Sequence, residues 1–196
     1  MLSPDRLLEL LGMASGLACV WLLIRQNVLT FPIGAAYALI SVAVMVRNGL
    51  YADVILNAYY VVINIYGWWY WNVREEEQGA VLAVTRTPRK TLLLLIPVAI
   101  AAFLVMYFVV SSFSGAELVP LNSLTTVLSF IAMWMSARKY LENWSLWLVI
   151  NVLSVVMFFL QGIWPYVLLY AVYLVMAVQG HRAWLKSMQA QVTQPQ

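Results

Sequence analysis

Uncharged polar side chains recur at helical spacing inside apolar stretches of this 196-residue chain. Asn57, Tyr60 and Asn64 are separated by three and four residues, which places them on one face of a helix. Such amide, hydroxyl and aromatic groups can hydrogen-bond and stack a small polar ligand, although in membranes they also join helices. The same group types recur later in the chain, at Asn122, Thr125, Thr126, Ser129, Asn151, Ser154, Tyr170, Tyr173 and Gln179.

Residues that would support catalysis or ion coupling are missing from the apolar stretches. One His and one Cys cannot form a typical zinc site, and the sequence has no common hydrolase, metalloprotease or phosphate-loop motif. We therefore predict no catalytic residues, no metal and no cofactor. The ionisable residues of most interest fall at or near predicted helix ends, which favours passive transport: Glu9, Asp53, Glu117, Glu142 and His181.

The elements that position these residues are predicted to be membrane-spanning helices. Hydrophobic residues make up 64% of the chain and charged residues 10%, which leaves too little polar surface for a soluble fold. Runs of about 20 apolar residues span a bilayer as helices. We predict an all-α integral membrane protein with seven helices, at residues 7–25, 29–46, 51–71, 91–113, 118–137, 144–160 and 164–182.

The distribution of basic residues predicts the orientation of the chain. Nine basic residues fall on one side of the predicted spans and two, Arg6 and Arg47, on the other. Basic residues concentrate on the cytoplasmic side of membrane proteins, so we expect the N-terminus outside and the C-terminus inside. The net charge of +3 then reflects topology and the lipid bilayer, with no indication of nucleic-acid binding. The first helix lacks a basic region and a cleavage site, so we expect it to be retained.

An internal repeat is visible when the chain is shifted by 113 residues. Residues 7–71 then superpose on residues 120–184 with 14 of 65 positions identical, including Trp21 with Trp134 and Gly67 with Gly180. Each unit holds three helices, and the fourth helix lies between them. We predict two parallel repeats, 7–71 and 120–184, separated by a cytoplasmic linker and connector helix at 72–119 and followed by a tail at 185–196. Transporters with such repeats bind their substrate between the units near the membrane midplane.

Two sequence segments resemble the PnuC family of bacterial vitamin transporters. They are residues 64–68 (NIYGW) and 138–144 (RKYLENW), followed by Trp147 and Asn151, and the resemblance extends over essentially the whole chain. It implies a SWEET-like arrangement of three plus one plus three helices. It also implies facilitated diffusion of nicotinamide riboside, or of thiamine or another nucleoside-like compound in sister groups, with trapping inside the cell by phosphorylation.

Three candidate positions depart from residue types found in that family. Asn122 stands where many members have Asp, Asn57 where Gln occurs and Tyr37 where Asn occurs. A pocket that hydrogen-bonds its ligand discriminates strongly when a partner changes, so thiamine remains an alternative to nicotinamide riboside. The predicted substrate-binding residues are Asn57, Tyr60, Asn64, Trp68, Asn122, Thr126, Trp134, Trp147, Asn151, Tyr170 and Tyr173.

We therefore predict a transporter of the bacterial inner membrane that takes up a nucleoside-like vitamin precursor, with nicotinamide riboside first. Its expected partners are the substrate, the bilayer and a cytoplasmic kinase that traps the substrate, and a homo-oligomer is compatible with the exposed helix faces. A membrane receptor or scaffold without transport is a remote alternative. A membrane enzyme is a third, and it would yield a product different from the compound supplied.

Overall fold

The computed structural model describes residues 4–47, 51–79, 81–112 and 118–193. Seven helices form within these ranges, and we number them in chain order: α1 Pro4–Ile24, α2 Thr30–Arg47, α3 Tyr51–Gln78, α4 Arg89–Ser111, α5 Val119–Ala137, α6 Asn143–Leu160 and α7 Trp164–Thr193. The all-α prediction is confirmed. Glu9, Asp53 and Glu117 lie outside the residues whose side chains are described.

The helix ends differ from the predicted ones mainly at α3 and α7. Helix α3 continues about two turns beyond Trp71, and α7 continues from Arg182 to Thr193. These extensions are polar, so hydropathy gives no signal for them. Ion pairs at helical spacing support a helix in water, and Arg74 forms one with Glu77 at 2.9 Å.

The described helices differ in hydropathy. By length and composition, α4, α5 and α6 are each sufficient to cross a membrane, while the described apolar parts of α1 and α2 are the shorter stretches Leu11–Ile24 and Thr30–Ala43. Helices α3 and α7 carry Asn, Gln, Tyr and Trp among their apolar residues, which lowers their mean hydropathy.

The chain divides into two compact units, residues 1–82 and 83–196. In the first unit α2 packs on α1 and α3. An edge-to-face pair of Phe31 and Trp71, with ring centroids 5.0 Å apart, joins α2 to α3. Gly67 makes this contact possible, because a Cβ at that position would collide with the Phe31 ring.

In the second unit α5 packs on α4 and α6, and α6 packs on α7. Trp144 of α6 and Trp184 of α7 form an edge-to-face pair with centroids 5.5 Å apart. A Cβ at Gly180 would collide with the Trp144 ring. The offset of 113 residues found in the sequence relates this pair and its glycine to Phe31, Trp71 and Gly67, and it relates the bounds of α2 to those of α6.

Residues 83–88, which we call the strap, run from the unit boundary to α4 and pair with the turn between α5 and α6. The Thr85 amide donates to the Lys139 carbonyl at 3.2 Å, and the Leu141 amide donates to the Thr85 carbonyl at 2.9 Å. Glu142 accepts hydrogen bonds from the Thr87 amide at 2.7 Å and from the Thr87 hydroxyl at 2.8 Å. These contacts fix the segment that precedes α4 against the second unit.

Candidate functional site

The predicted site residues of the first unit all lie on α3. Asn57 and Asn64 are buried and Tyr60 is half-buried. Asn64 donates from its side-chain Nδ2 to the Tyr60 carbonyl at 2.7 Å. A Cβ at Gly34 would lie 2.7 Å from the Asn64 Oδ1, so α2 approaches this amide closely because residue 34 has no side chain.

Trp68 is placed differently from Asn57 and Asn64. Its side chain is 50% exposed, whereas Asn64, one turn earlier, is 6% exposed. Tyr37 of α2, one of the positions that depart from the family pattern, is also largely exposed. The structure thus brings Asn64 and Tyr60 together and leaves Trp68 at the surface of α3.

In the second unit a stripe of site residues follows one face of α6. Trp147, Asn151, Ser154 and Phe158 are separated by four, three and four residues, which is the spacing of a single helix face. Asn151 and Ser154 are 4% and 3% exposed. Neither side chain has a hydrogen-bond partner among the residues that the structure describes. A buried polar group without a partner costs about 1 to 3 kcal/mol, so this stripe is suited to bind a polar ligand.

Aromatic rings extend this stripe onto α7. Phe158 stacks on Tyr170 with centroids 5.3 Å apart and on Tyr166 at 5.0 Å. Tyr170 in turn meets Tyr173 edge to face at 5.7 Å. Sequence reasoning selected both of these predicted site tyrosines but missed Phe158, although its spacing of seven residues from Asn151 places it on the same face.

The other end of the stripe is fixed by a buried hydrogen-bond network. The Trp147 indole donates from Nε1 to the Ser136 Oγ at 3.4 Å, and Ser136 lies 3.1 Å from the Asn143 Oδ1. Asn143 donates from Nδ2 to the Tyr140 carbonyl, and the Tyr140 ring packs against Trp134 at 5.9 Å. Two predicted aromatic site residues, Trp134 and Trp147, are therefore held from one turn. Ser136 and Asn143 were missed as members of this arrangement because their roles depend on contacts between helices.

Helix α5 contributes two further polar side chains. Asn122 and Thr126 lie one turn apart and are half-buried, and the described part of the chain provides no hydrogen-bond partner for either side chain. The neighbouring hydroxyls of Thr125 and Ser129 instead bond to carbonyls within α5. The two groups can therefore hydrogen-bond a ligand without losing an existing bond.

Glu142 is the ionisable group closest to this network. Burial raises the pKa of its carboxyl, but the hydrogen bonds from Thr87 and the charge of Arg86 lower it further, and the net shift is downward. Glu142 is therefore ionised at neutral pH and is engaged with the strap. Among the described residues no group of three or more His, Cys, Asp or Glu side chains could hold a metal ion.

Comparison with known proteins identifies the family. The model of the family described as nicotinamide mononucleotide transporter matches residues 6–186. The chain belongs to the nicotinamide mononucleotide transporter family. It is thus a membrane transporter rather than an enzyme, with a small-molecule substrate and the lipid bilayer as its surroundings, and its apolar helices fit a multi-pass protein of the inner membrane.

Individual members of the nicotinamide mononucleotide transporter family are similar over most of this chain. The nicotinamide riboside transporter PnuC of Escherichia coli K12 is 29% identical over 92% of this chain and 85% of its own length. The protein of the same name from Neisseria mucosa is 26% identical over 94% of this chain and 74% of its own. A crystal structure of the vitamin B3 transporter PnuC has a TM-score of 0.72 at 22% identity, covering 96% of this chain and 84% of that one, which supports the fold.

Proposed function

We propose that this protein takes up nicotinamide riboside by facilitated diffusion. The observation that carries the proposal is the pair Asn151 and Ser154, buried on one face of α6 without partners among the described residues, in a member of the nicotinamide mononucleotide transporter family. Similar proteins bear the name nicotinamide riboside transporter.

The chemistry of this substrate fits the groups around the stripe. Nicotinamide riboside carries a carboxamide, ribose hydroxyls and a cationic ring. The amide of Asn151 and the hydroxyl of Ser154 can bond the first two, and a cationic ring is attracted to the faces of aromatic side chains. Trp147 precedes this pair on α6, and Tyr170 follows it through Phe158. We assign the remaining predicted residues, including Asn122, Thr126, Asn57, Tyr60, Asn64 and Trp68, to the same substrate path.

The wider arrangement that we propose is two parallel three-helix repeats, α1–α3 and α5–α7, with α4 as the connector. Matching bounds of α2 and α6, and the equivalent aromatic pairs on Gly67 and Gly180, support it. The bias of nine basic residues against two supports an external N-terminus and a cytoplasmic C-terminus. We also propose that a cytoplasmic kinase traps the substrate, because facilitated diffusion alone only equalises concentrations.

The test is uptake of labelled nicotinamide riboside into sealed vesicles that contain only this protein. We expect saturable uptake of unmodified compound, and Asn151→Ala should reduce it about tenfold or more because a hydrogen-bonding site discriminates strongly. The matched control is Ser111→Ala, an exposed position of α4, which should leave uptake unchanged. Loading the vesicles with a riboside kinase and ATP should convert equilibration into accumulation.

Thiamine remains the second candidate because Asn57 and Asn122 differ in residue type from the family pattern. A competition experiment with unlabelled thiamine distinguishes the two. Inhibition by thiamine with no uptake of nicotinamide riboside would reject the first substrate in favour of the second. Uptake equal to that of empty vesicles for both compounds would favour a receptor or scaffold, and a chemically altered product would indicate an enzyme.

A further inference from the structure

An apolar groove lies apart from the polar stripe, among α4, α5 and α6 of the second unit. Its volume is about 300 Å³. Eight of the residues that line it are apolar, so water gains few hydrogen bonds there. They are Leu92, Leu95, Ile96, Ala99, Leu128, Ile131, Met135 and Leu146.

The groove is polar where it approaches the strap. Glu142 and Ser145 complete its lining, and the Arg86 Nη1 lies 3.4 Å from the Glu142 carboxylate. Because Thr87 already donates two hydrogen bonds to that carboxylate, Arg86 is not enclosed by it, and 68% of its side chain is exposed. A guanidinium group with unused donors therefore stands beside the groove.

A second guanidinium group is placed by the helical spacing of α4. Arg89 is exposed and precedes Leu92 by three residues, and Leu92, Ile96 and Ala99 all line the groove. Residues at this spacing share a helix face. Arg89 therefore begins the same face of α4 that continues as the groove wall.

The surroundings of α4 indicate what enters the groove. This helix is long and apolar enough to cross a membrane, and it has no buried residue. Its groove face is thus open to hydrocarbon, and an acyl chain matches the apolar lining. Arginine binds phosphate oxygens through paired donors, and basic sites at the ends of membrane helices attract anionic lipids.

We propose that this groove binds one anionic phospholipid, with an acyl chain along Leu92, Ile96 and Ala99 and its phosphodiester on Arg86 and Arg89. The site does not depend on the identity of the transported compound. It assigns the two arginines, which the transport path does not use, to recognition of lipid charge.

Native mass spectrometry of the full chain in detergent, titrated with phosphatidylglycerol or with phosphatidylcholine of the same acyl chains, tests the site. We expect the wild type to retain one phosphatidylglycerol in preference to phosphatidylcholine. Removing both charges, with Arg86→Gln and Arg89→Gln together, should weaken phosphatidylglycerol binding about 30-fold, since each basic residue near a lipid surface contributes on the order of 1 kcal/mol. The control is Arg182→Gln, an exposed arginine of α7, which should change nothing.

A second pair of variants tests the acyl chain. Ile96→Trp fills the groove and should abolish retention of the lipid, whereas Leu104→Trp, an exposed position of α4 outside the groove lining, should not. Ala99→Phe replaces Ile96→Trp if the latter does not elute as a monodisperse protein. Equal retention of the two lipids by the wild type, or unchanged phosphatidylglycerol binding in the double arginine variant or in the filled groove, would overturn the proposal.

Discussion

The turn between α1 and α2 and the turn between α5 and α6 share a backbone and differ in what covers them. Gln26 and Lys139 occupy the same position in each and have φ values of 55° and 57°. The hydrogen bond from the Asn27 amide to the Leu22 carbonyl has its counterpart from Tyr140 to Met135. Both turns are Schellman motifs in which a residue other than glycine adopts the left-handed conformation.

The difference begins at the fifth residue of each turn. Glu142 binds Thr87 of the strap, whereas the residue at the equivalent position of the first turn is Leu29, which is 52% exposed. Hydrogen-bonded geometry and the aromatic pair on glycine are thus common to both units. The ionic attachment of a neighbouring segment, as described, belongs to the second unit, so backbone geometry can be shared while side-chain surroundings diverge.

The largest expected effect tests whether the two glycine contacts are equivalent. Gly67→Ala and Gly180→Ala each place a methyl group against an aromatic ring, and overpacking of this kind costs up to about 3 kcal/mol. We expect similar losses of thermal stability in both variants. The control is Ala101→Val at an exposed position of α4. Adding Trp144→Leu to Gly180→Ala should restore part of the loss, and strictly additive effects would contradict the proposed contact.

The next effect should separate the two turns. Glu142→Gln removes a charged acceptor of two hydrogen bonds from Thr87, and bonds to charged groups contribute about 1.5 to 3 kcal/mol. We expect lower thermal stability and faster amide exchange at Thr87, measured by hydrogen–deuterium exchange. Leu29→Gln, the matched change in the first turn, should leave stability nearly unchanged. Equal destabilisation by both variants would contradict the contrast between the turns.

The same carboxylate predicts a dependence on pH. The pKa of Glu142 is lower in the folded protein than its ordinary value, so its contribution to stability is complete above the ordinary value of about 4.3. It is lost as the pH falls through the depressed folded-state pKa. Wild type and Glu142→Gln should therefore differ in melting temperature at neutral pH and converge under acidic conditions below about pH 4. A constant difference down to the acidic limit would argue against titration of this group.

The smallest effect concerns the two left-handed residues. Glycine adopts this conformation without strain, so Gln26→Gly should raise stability by about 1 kcal/mol or less. Lys139→Gly gains the same relief but removes a side chain that is fully buried, so we expect no net gain. Thermal melts of the two variants check this, and a decrease for Gln26→Gly would mean that its side chain contributes packing.

The sequence was sufficient to predict the elements because hydrophobic runs of fixed length dictate membrane helices. It placed the ends of α2 and α6 within a residue or two, and it suggested the offset of 113 residues that relates the two aromatic pairs. It did not predict the polar ends of α3 and α7, since a helix in water needs no apolar run. Pattern alone cannot provide an arrangement made by residues distant in the chain.

The site was predicted to different extents in its parts. Asn151, Tyr170 and Tyr173 could be selected because polar and aromatic groups are unusual at helical spacing in apolar segments. The contribution of Ser136 to holding Trp147 could not, because a serine in an apolar helix more often bonds to its own backbone, as Ser129 does here. The contact of Thr87 with Glu142 joins residues 55 positions apart, and no local signal marks it.

The attachment of the strap has a consequence for how the gene could be divided. The Leu82 amide bonds to Glu75 of the first unit, while Thr85 bonds to Lys139 and Leu141 of the second. A break between Leu82 and Ala83 would therefore sever a peptide bond without separating any of these partners. Two separately encoded fragments, 1–82 and 83–196, would each retain their own hydrogen bonds, which makes this junction the natural position for a split reporter or an inserted tag.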